Sequence, residues 1–183
     1  MVRRSVTVRA GFGLLAYEWA AMVSDDQGPA LAARSDEAVT AYLAMQASYP
    51  PGYTDTEARC FAHSADAHGE GYGYDGCSPW MSAILADALD GYARRVGGAR
   101  AREVSASLVK LGRIIARDGR DGTGRPFYWM GVGVSTDEVD DFDEHWGESA
   151  YLVALAWAHG GRTDAALRTA ADELVTGTRE RGE

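Results

Sequence analysis

The chain has 183 residues, enough for one domain with a real hydrophobic core. Hydrophobic residues make up 46% and charged residues 25%, with 5 prolines, which excludes a disordered chain. Asp and Glu number 27 against 18 Lys and Arg, a formal charge of -9 that argues against nucleic-acid or anionic-membrane partners, since no contiguous basic stripe offsets it.

Residues 1–11 alternate partly through Val2, Val6 and Val8, as a short strand or a tail would. Arg3 and Arg4 are soon followed by further polar and charged residues, so no signal peptide is visible. No stretch is apolar enough to span a bilayer, and secretion stays open. From Phe12 to Val23 the pattern turns helical, with Leu15, Trp19 and Met22 on one face. Asp25, Asp26, Gly28 and Pro29 stop it. Ser35 is the expected N-cap of a second helix running to about Ser48, with Val39, Tyr42, Leu43 and Ala47 inward. Pro50, Pro51 and Gly52 end that helix.

Residues 49–77 lack a period and read as an irregular ordered loop with room for one helical turn over 57–65. A loop of this length is uncommon without a purpose. Cys60 and Cys77 fall within it; their spacing permits a disulfide, but free thiols are the expectation. Ser78 and Pro79 open a third helix with a side-chain cap and Pro at its first position. Met81, Ile84, Leu85, Ala88, Leu89 and Tyr92 mark its buried face, and Gly97-Gly98 stops it. A partner helix follows over about Ala101–Arg117, striped by Val104, Leu108, Leu111 and Ile115.

After a second long connection, 118–144, two more helices are expected over 145–159 and 163–177. The first carries Trp146, Ala150, Val153 and Trp157 on one face, widened by Leu152, Leu155 and Ala156, so neighbours should surround it. The second carries Leu167, Ala170, Ala171 and Leu174. Aligning Gly98 with Gly161 also aligns Val104 with Leu167 and Leu111 with Leu174, a weak internal repeat of stacked helix pairs. The expected fold is all-α: a single helical domain over 1–183, with three antiparallel αα-hairpins and irregular loops near 49–77 and 118–144. It closes as a compact six-helix bundle or forms part of a larger ring.

Two segments sharpen that choice. SPWMSAILADALDGYARRVGG, from Ser78, resembles an inner helix of the (α/α) toroid proteins, the class of six-hairpin glycosidases and polysaccharide lyases. DEHWGESAYLVALAWAHGG, ending at Gly161, resembles the next inner helix. The resemblance covers about residues 78–178 and rests on helix texture and on Trp and Gly-Gly placement. It implies a carbohydrate cleft formed by loops at one end of the inner helices. A full toroid needs about twelve helices, so a chain of six is a partial member or one that a homo-oligomer completes.

Candidate chemistry lies in the two long connections. The first holds His63, Asp66, His68, Glu70, Tyr72, Tyr74 and Asp75. Here His68, Glu70 or Asp75 would handle protons, and Tyr72 and Tyr74 would stack on a sugar or donate a proton. The competing explanation is that these residues pack a long loop. Its glycines are no dinucleotide fingerprint, since no strand precedes them. The second holds Asp137, Glu138, Asp140, Asp141, Asp143, Glu144, His145 and Glu148. Carboxylates suit a helix N-terminus, so Asp143 or Glu144 could serve only as a cap. Glu148 sits one turn into an apolar helix; facing a pocket, it would have a raised pKa suited to general-acid work. Arg125 would pair with a uronate, and Tyr128, Trp129, Trp146 and His145 would line the substrate; core packing competes for the aromatics.

No HExxH or tight His pair suggests zinc and no regular calcium loop is present, so neither metal nor cofactor is expected. The expected partner is an oligo- or polysaccharide. β-Elimination from a uronate is slightly preferred, because Tyr and His accompany the first loop. Hydrolysis by paired carboxylates is the alternative. A non-catalytic helical domain that binds sugar or protein is the third reading.

Overall fold

A computed structural model describes residues 7–51, 54–65, 72–132, 137–139 and 143–181. The chain forms α1 (Thr7–Val23), α2 (Gly28–Ser48), α3 (Pro79–Val96), α4 (Gly98–Asp118), β1 (Phe127–Trp129), β2 (Glu138–Val139), α5 (Trp146–His159) and α6 (Ala165–Arg181). The architecture is a compact all-α bundle of six helices paired as hairpins, with one small two-stranded sheet among the described residues.

Cross-helix contacts fix the directions. Gly11 meets Ile84 and Leu85, and Glu18 meets Arg95, so α1 and α3 run parallel. Trp80 meets His145, Tyr151 meets Asp87 and His159 meets Asp90, so α3 and α5 also run parallel. Gly112 meets Ala156 while Ser105 meets His159, so α4 runs antiparallel to α5. Three parallel helices, α1, α3 and α5, therefore lie side by side, and α2, α4 and α6 return the chain between them.

The apolar stripes read from the sequence form the core. Leu85, Leu89, Val104, Leu111, Ile114, Ile115, Val153 and Leu174 are completely buried. Each such side chain contributes about 1.5–3 kcal/mol relative to exposure. Small residues set the helix spacing. A Cβ on Gly112 would stand 2.1 Å from the Ala156 Cβ, closer than any packed pair of carbons. Gly11 would likewise strike the α3 backbone at 2.7 Å.

Several expectations need correction. α1 begins at Thr7, so the strand or tail expected up to residue 11 is helix where it is described. α2 begins at Gly28 with Pro in its first turn, where the missing N–H is no loss. Ser35 is therefore no cap: it is buried inside α2, and its Oγ donates to Leu31 O at 3.4 Å. The Ser78 hydroxyl does not cap α3 but donates to Tyr128 O at 2.9 Å. Trp19 and Met22 are 64% and 67% exposed, because α1 uses Ala10, Gly11, Leu14 and Glu18 to pack inward. Ala47 is exposed as well. Cys60 and Cys77 form a disulfide, with Cα atoms 6.1 Å apart, rather than two free thiols.

Alanine is the better helix former by about 1 kcal/mol, yet Gly112→Ala is expected to destabilise the protein by about 1–3 kcal/mol, the usual cost of overpacking. Urea denaturation checks the sign. A stabilised variant would show that α4 and α5 can part without cost.

Candidate functional site

The described parts of the two irregular connections form one layer over the N-terminal ends of α3 and α5. His63 and Gly76 exchange backbone hydrogen bonds at 2.8 and 3.0 Å, closing the first loop on itself. Cys77 and Met130 exchange two more, at 2.9 and 2.7 Å, tying the first loop to the second. β1 pairs antiparallel with β2, with Phe127 opposite Val139 and Trp129 opposite Glu138. These short strands escape a sequence search because two or three residues carry no readable alternation.

On this layer lies a run of rings. Tyr72 is 5.4 Å from Trp129 and 6.3 Å from both Tyr74 and Tyr128, centroid to centroid. Tyr128 is 5.7 Å from Trp80 and from His145. Trp80 and His145 stack at 4.6 Å with planes 9° apart. Trp129 is fully buried and forms the floor, whereas Tyr72, Tyr74, Tyr128, Trp80 and His145 keep part of their surface. The Trp80 Nε1 is buried and has no hydrogen-bond partner among the described residues. His63 is buried beneath the array, where its Nδ1 accepts the Ser78 N–H at 3.3 Å and its ring meets Trp129 edge-on.

His145 adopts left-handed backbone angles, φ 64°, at the N-cap of α5, and this turns its ring onto Trp80. Val132 and Asp143 also have positive φ, 46° and 56°. For a β-branched Val this is a true outlier. Such positions cost about 1–3 kcal/mol each and concentrate where a site over-determines its backbone.

Two carboxylates are tied to this array. Tyr74 donates its hydroxyl proton to Glu138 at 2.9 Å. His145 Nδ1 lies 3.3 Å from Glu148 Oε1, and this contact, opposed by desolvation, holds Glu148 below the usual carboxylate range. Glu148 is therefore a persistent carboxylate and not the raised general acid that a pocket-facing position suggested. Just before β2, desolvation lifts the Asp137 carboxyl, with the Gly131 N–H opposing and Asp118 and Glu138 adding like charge. Beyond His145 runs a groove of about 560 Å³ lined by Ala83, Glu144, His145, Gly147, Glu148, Tyr151 and Thr178. Desolvation and the Asp87 carboxylate, 2.7 Å from its oxygen, keep the Tyr151 hydroxyl protonated.

Other expected site residues stand elsewhere. Arg125 forms an ion pair with Asp143, Nε to Oδ1 3.1 Å, without a hydrogen bond, while Asp143 accepts from Arg181 at 2.8 Å and from Trp146 Nε1 at 3.1 Å. Trp146 is buried there, with Arg181 over its ring at 3.9 Å, so neither its face nor that of Trp129 is open to a ligand. Asp75 holds its own loop: its side chain accepts the Ala65 N–H and its carbonyl accepts the Tyr49 hydroxyl. Asp66, His68, Glu70, Asp140 and Asp141 lie outside the described residues. Among the described residues, no group of three His, Cys, Asp or Glu side chains could hold a metal ion. Sequence reasoning overlooked Trp80, Tyr151 and Asp87. Trp80, Ala83 and Asp87 recur at helical spacing, but only the parallel packing of α5 shows that this face lines a site.

A larger groove, about 730 Å³, runs between α4 and α6. Its Arg113, Arg117 and Arg120 are each paired with carboxylates, and no aromatic ring is among its lining residues, so its size reflects helix spacing more than chemistry. The chain matches no protein-family model, no curated protein and no solved structure.

The Cys60–Cys77 bond closes a 17-residue separation containing Tyr72 and Tyr74. Replacing both cysteines by serine is expected to lower unfolding free energy by about 3 kcal/mol through the released loop entropy. Guanidinium denaturation of the double variant measures it; an unchanged midpoint would mean that the loop is held by its backbone pairing alone.

Proposed function

We propose that this protein is carbohydrate-active and binds an oligosaccharide along the aromatic array and the adjoining groove, as a partial (α/α) toroid would. The observation that carries the reading is the continuous run of partly open rings, Tyr72, Tyr128 and Trp80, ending at the His145–Glu148 pair. Flat rings cover the apolar faces of sugars, and nearby carboxylates satisfy their hydroxyls. The orphaned Trp80 N–H is a donor of the kind that buried polar groups rarely leave unmet. Two parallel helices, α3 and α5, gathering the loops that precede them at one end add support from the fold.

Of the two cleavage chemistries, hydrolysis suits the charges better. Elimination from a uronate needs a cation to neutralise the sugar carboxylate, and Arg125 already faces Asp143. The groove wall carries Glu144 and Glu148, with no Lys or Arg among the lining residues, so a uronate would meet like charge. Hydrolysis needs one ionised and one protonated carboxyl group. Glu148 supplies the first. Asp137, lifted by desolvation, is the source of the second. Two groups whose environments push their pKa values apart are the usual mark of such a division.

The test is a panel of neutral and uronate polysaccharides, read by reducing ends and by the ultraviolet absorbance of unsaturated uronate. Reducing ends without absorbance are expected. Glu148→Gln should lower turnover by at least about 100-fold, within the range for loss of acid–base groups. Because the Glu148 pKa is depressed, its ionised form persists as pH falls below the ordinary 4.5. The acid limb of the rate profile should lie below that value and move upward in His145→Ala. Absorbance at the unsaturated bond would establish elimination instead, and folded protein that neither binds nor cleaves any of the panel would refute the carbohydrate reading.

A further inference from the structure

On the outer side of α1, away from α3, Phe12, Trp19 and Val23 are 58%, 64% and 79% exposed, with Ala16 exposed between them. Positions 12, 16, 19 and 23 follow the 4-3-4 spacing of a coiled-coil seam. Met22, 67% exposed, borders the seam. A helix that already buries its opposite face on α3 has no internal use for a second apolar stripe, and large exposed apolar stripes mark association surfaces.

We infer that this stripe is a self-association surface on which α1 pairs antiparallel with α1 of a second copy about a two-fold axis. The axis crosses α1 between Tyr17 and Glu18. Phe12 then falls opposite the partner's Val23, and Trp19 falls opposite the partner's Ala16. Large residues meet small ones in every layer, which interdigitates the seam without a clash. The same register carries Arg9, exposed at one end of α1, to the partner's Asp26, with the partner's Asp25 beside it. Charge and shape are thus both self-complementary about one axis, as an isologous interface requires. A bilayer would need neither the alternation of sizes nor the terminal charge match, and a chain of charge -9 gains nothing from an anionic one. Self-association of this kind is a mass-action equilibrium and therefore concentration-dependent.

Sedimentation velocity of the full chain across the micromolar range tests this. A monomer–dimer equilibrium is expected, abolished by Trp19→Glu while the circular dichroism spectrum stays unchanged, since Trp19 faces solvent. Arg9→Asp should weaken association by about tenfold or more, equivalent to about 1.4 kcal/mol. Combining it with Asp26→Arg should restore association, because the swapped charges meet again across the axis. A monomer at every concentration would overturn the inference. So would a dimer indifferent to Trp19→Glu, a double variant as weak as the single one, or a monomer that binds zwitterionic vesicles through Trp19.

Discussion

Helix α3 has almost no solvent side, and that constraint organises the molecule. Eleven of its 18 residues are buried, more than one stripe of a helix can hold, so neighbours must cover it from several directions. α1, α4 and α5 do so. The buried residues include a carboxylate, Asp90, whose burial would be costly alone. Arg94 pairs with it on α3 itself, and His159 Nε2 meets it at 2.9 Å from α5. The other nitrogen of His159 lies 2.9 Å from Ser105 Oγ on α4. One buried charge thus pins three helices together at the end opposite the aromatic layer.

Once α3 and α5 are parallel and adjacent, their N-termini coincide, and the long connections that precede them are forced into the same space. The aromatic layer follows from that coincidence. Ser78 illustrates it: a hydroxyl positioned to cap its own helix donates instead to Tyr128, fastening one loop to the other. Val132, Asp143 and His145 accept unfavourable backbone angles in the same region. Three of the four non-glycine residues with positive φ among the described residues fall in this layer, the fourth being Arg162 in the α5–α6 turn, and a fixed geometry is what binding and chemistry gain from.

The helices were legible in the sequence because each carries a periodic stripe bounded by Gly or Pro. The stripes of α3, α4 and α6 were correct almost residue by residue. α1 was read less well: its large apolar residues, Phe12, Trp19, Met22 and Val23, lie on the outer face, while small residues such as Ala10 and Gly11 meet α3, so size and periodicity pointed to the wrong face. The site was half legible. Tyr72, Tyr128, His145 and Glu148, read from the sequence as parts of separate clusters, lie next to one another in space. Arg125 and Trp146 were drawn by Asp143 and Arg181 into a separate cluster, a competition between partners that spacing cannot resolve. The disulfide was missed because seventeen residues of irregular chain do not reveal that their ends meet.

That cross-link has a topological consequence. A protease that cuts between residues 61 and 76 does not release either half of the protein, because the Cys60–Cys77 bond still joins the fragments. The helices on both sides keep their packing, and Cys77 keeps its backbone pairing with Met130. Glycine-rich loop tips are ordinary targets for nicking. Here a nick yields two peptides that migrate as one until a reductant separates them, so digestion can remodel the aromatic loop without dismantling the bundle beneath it.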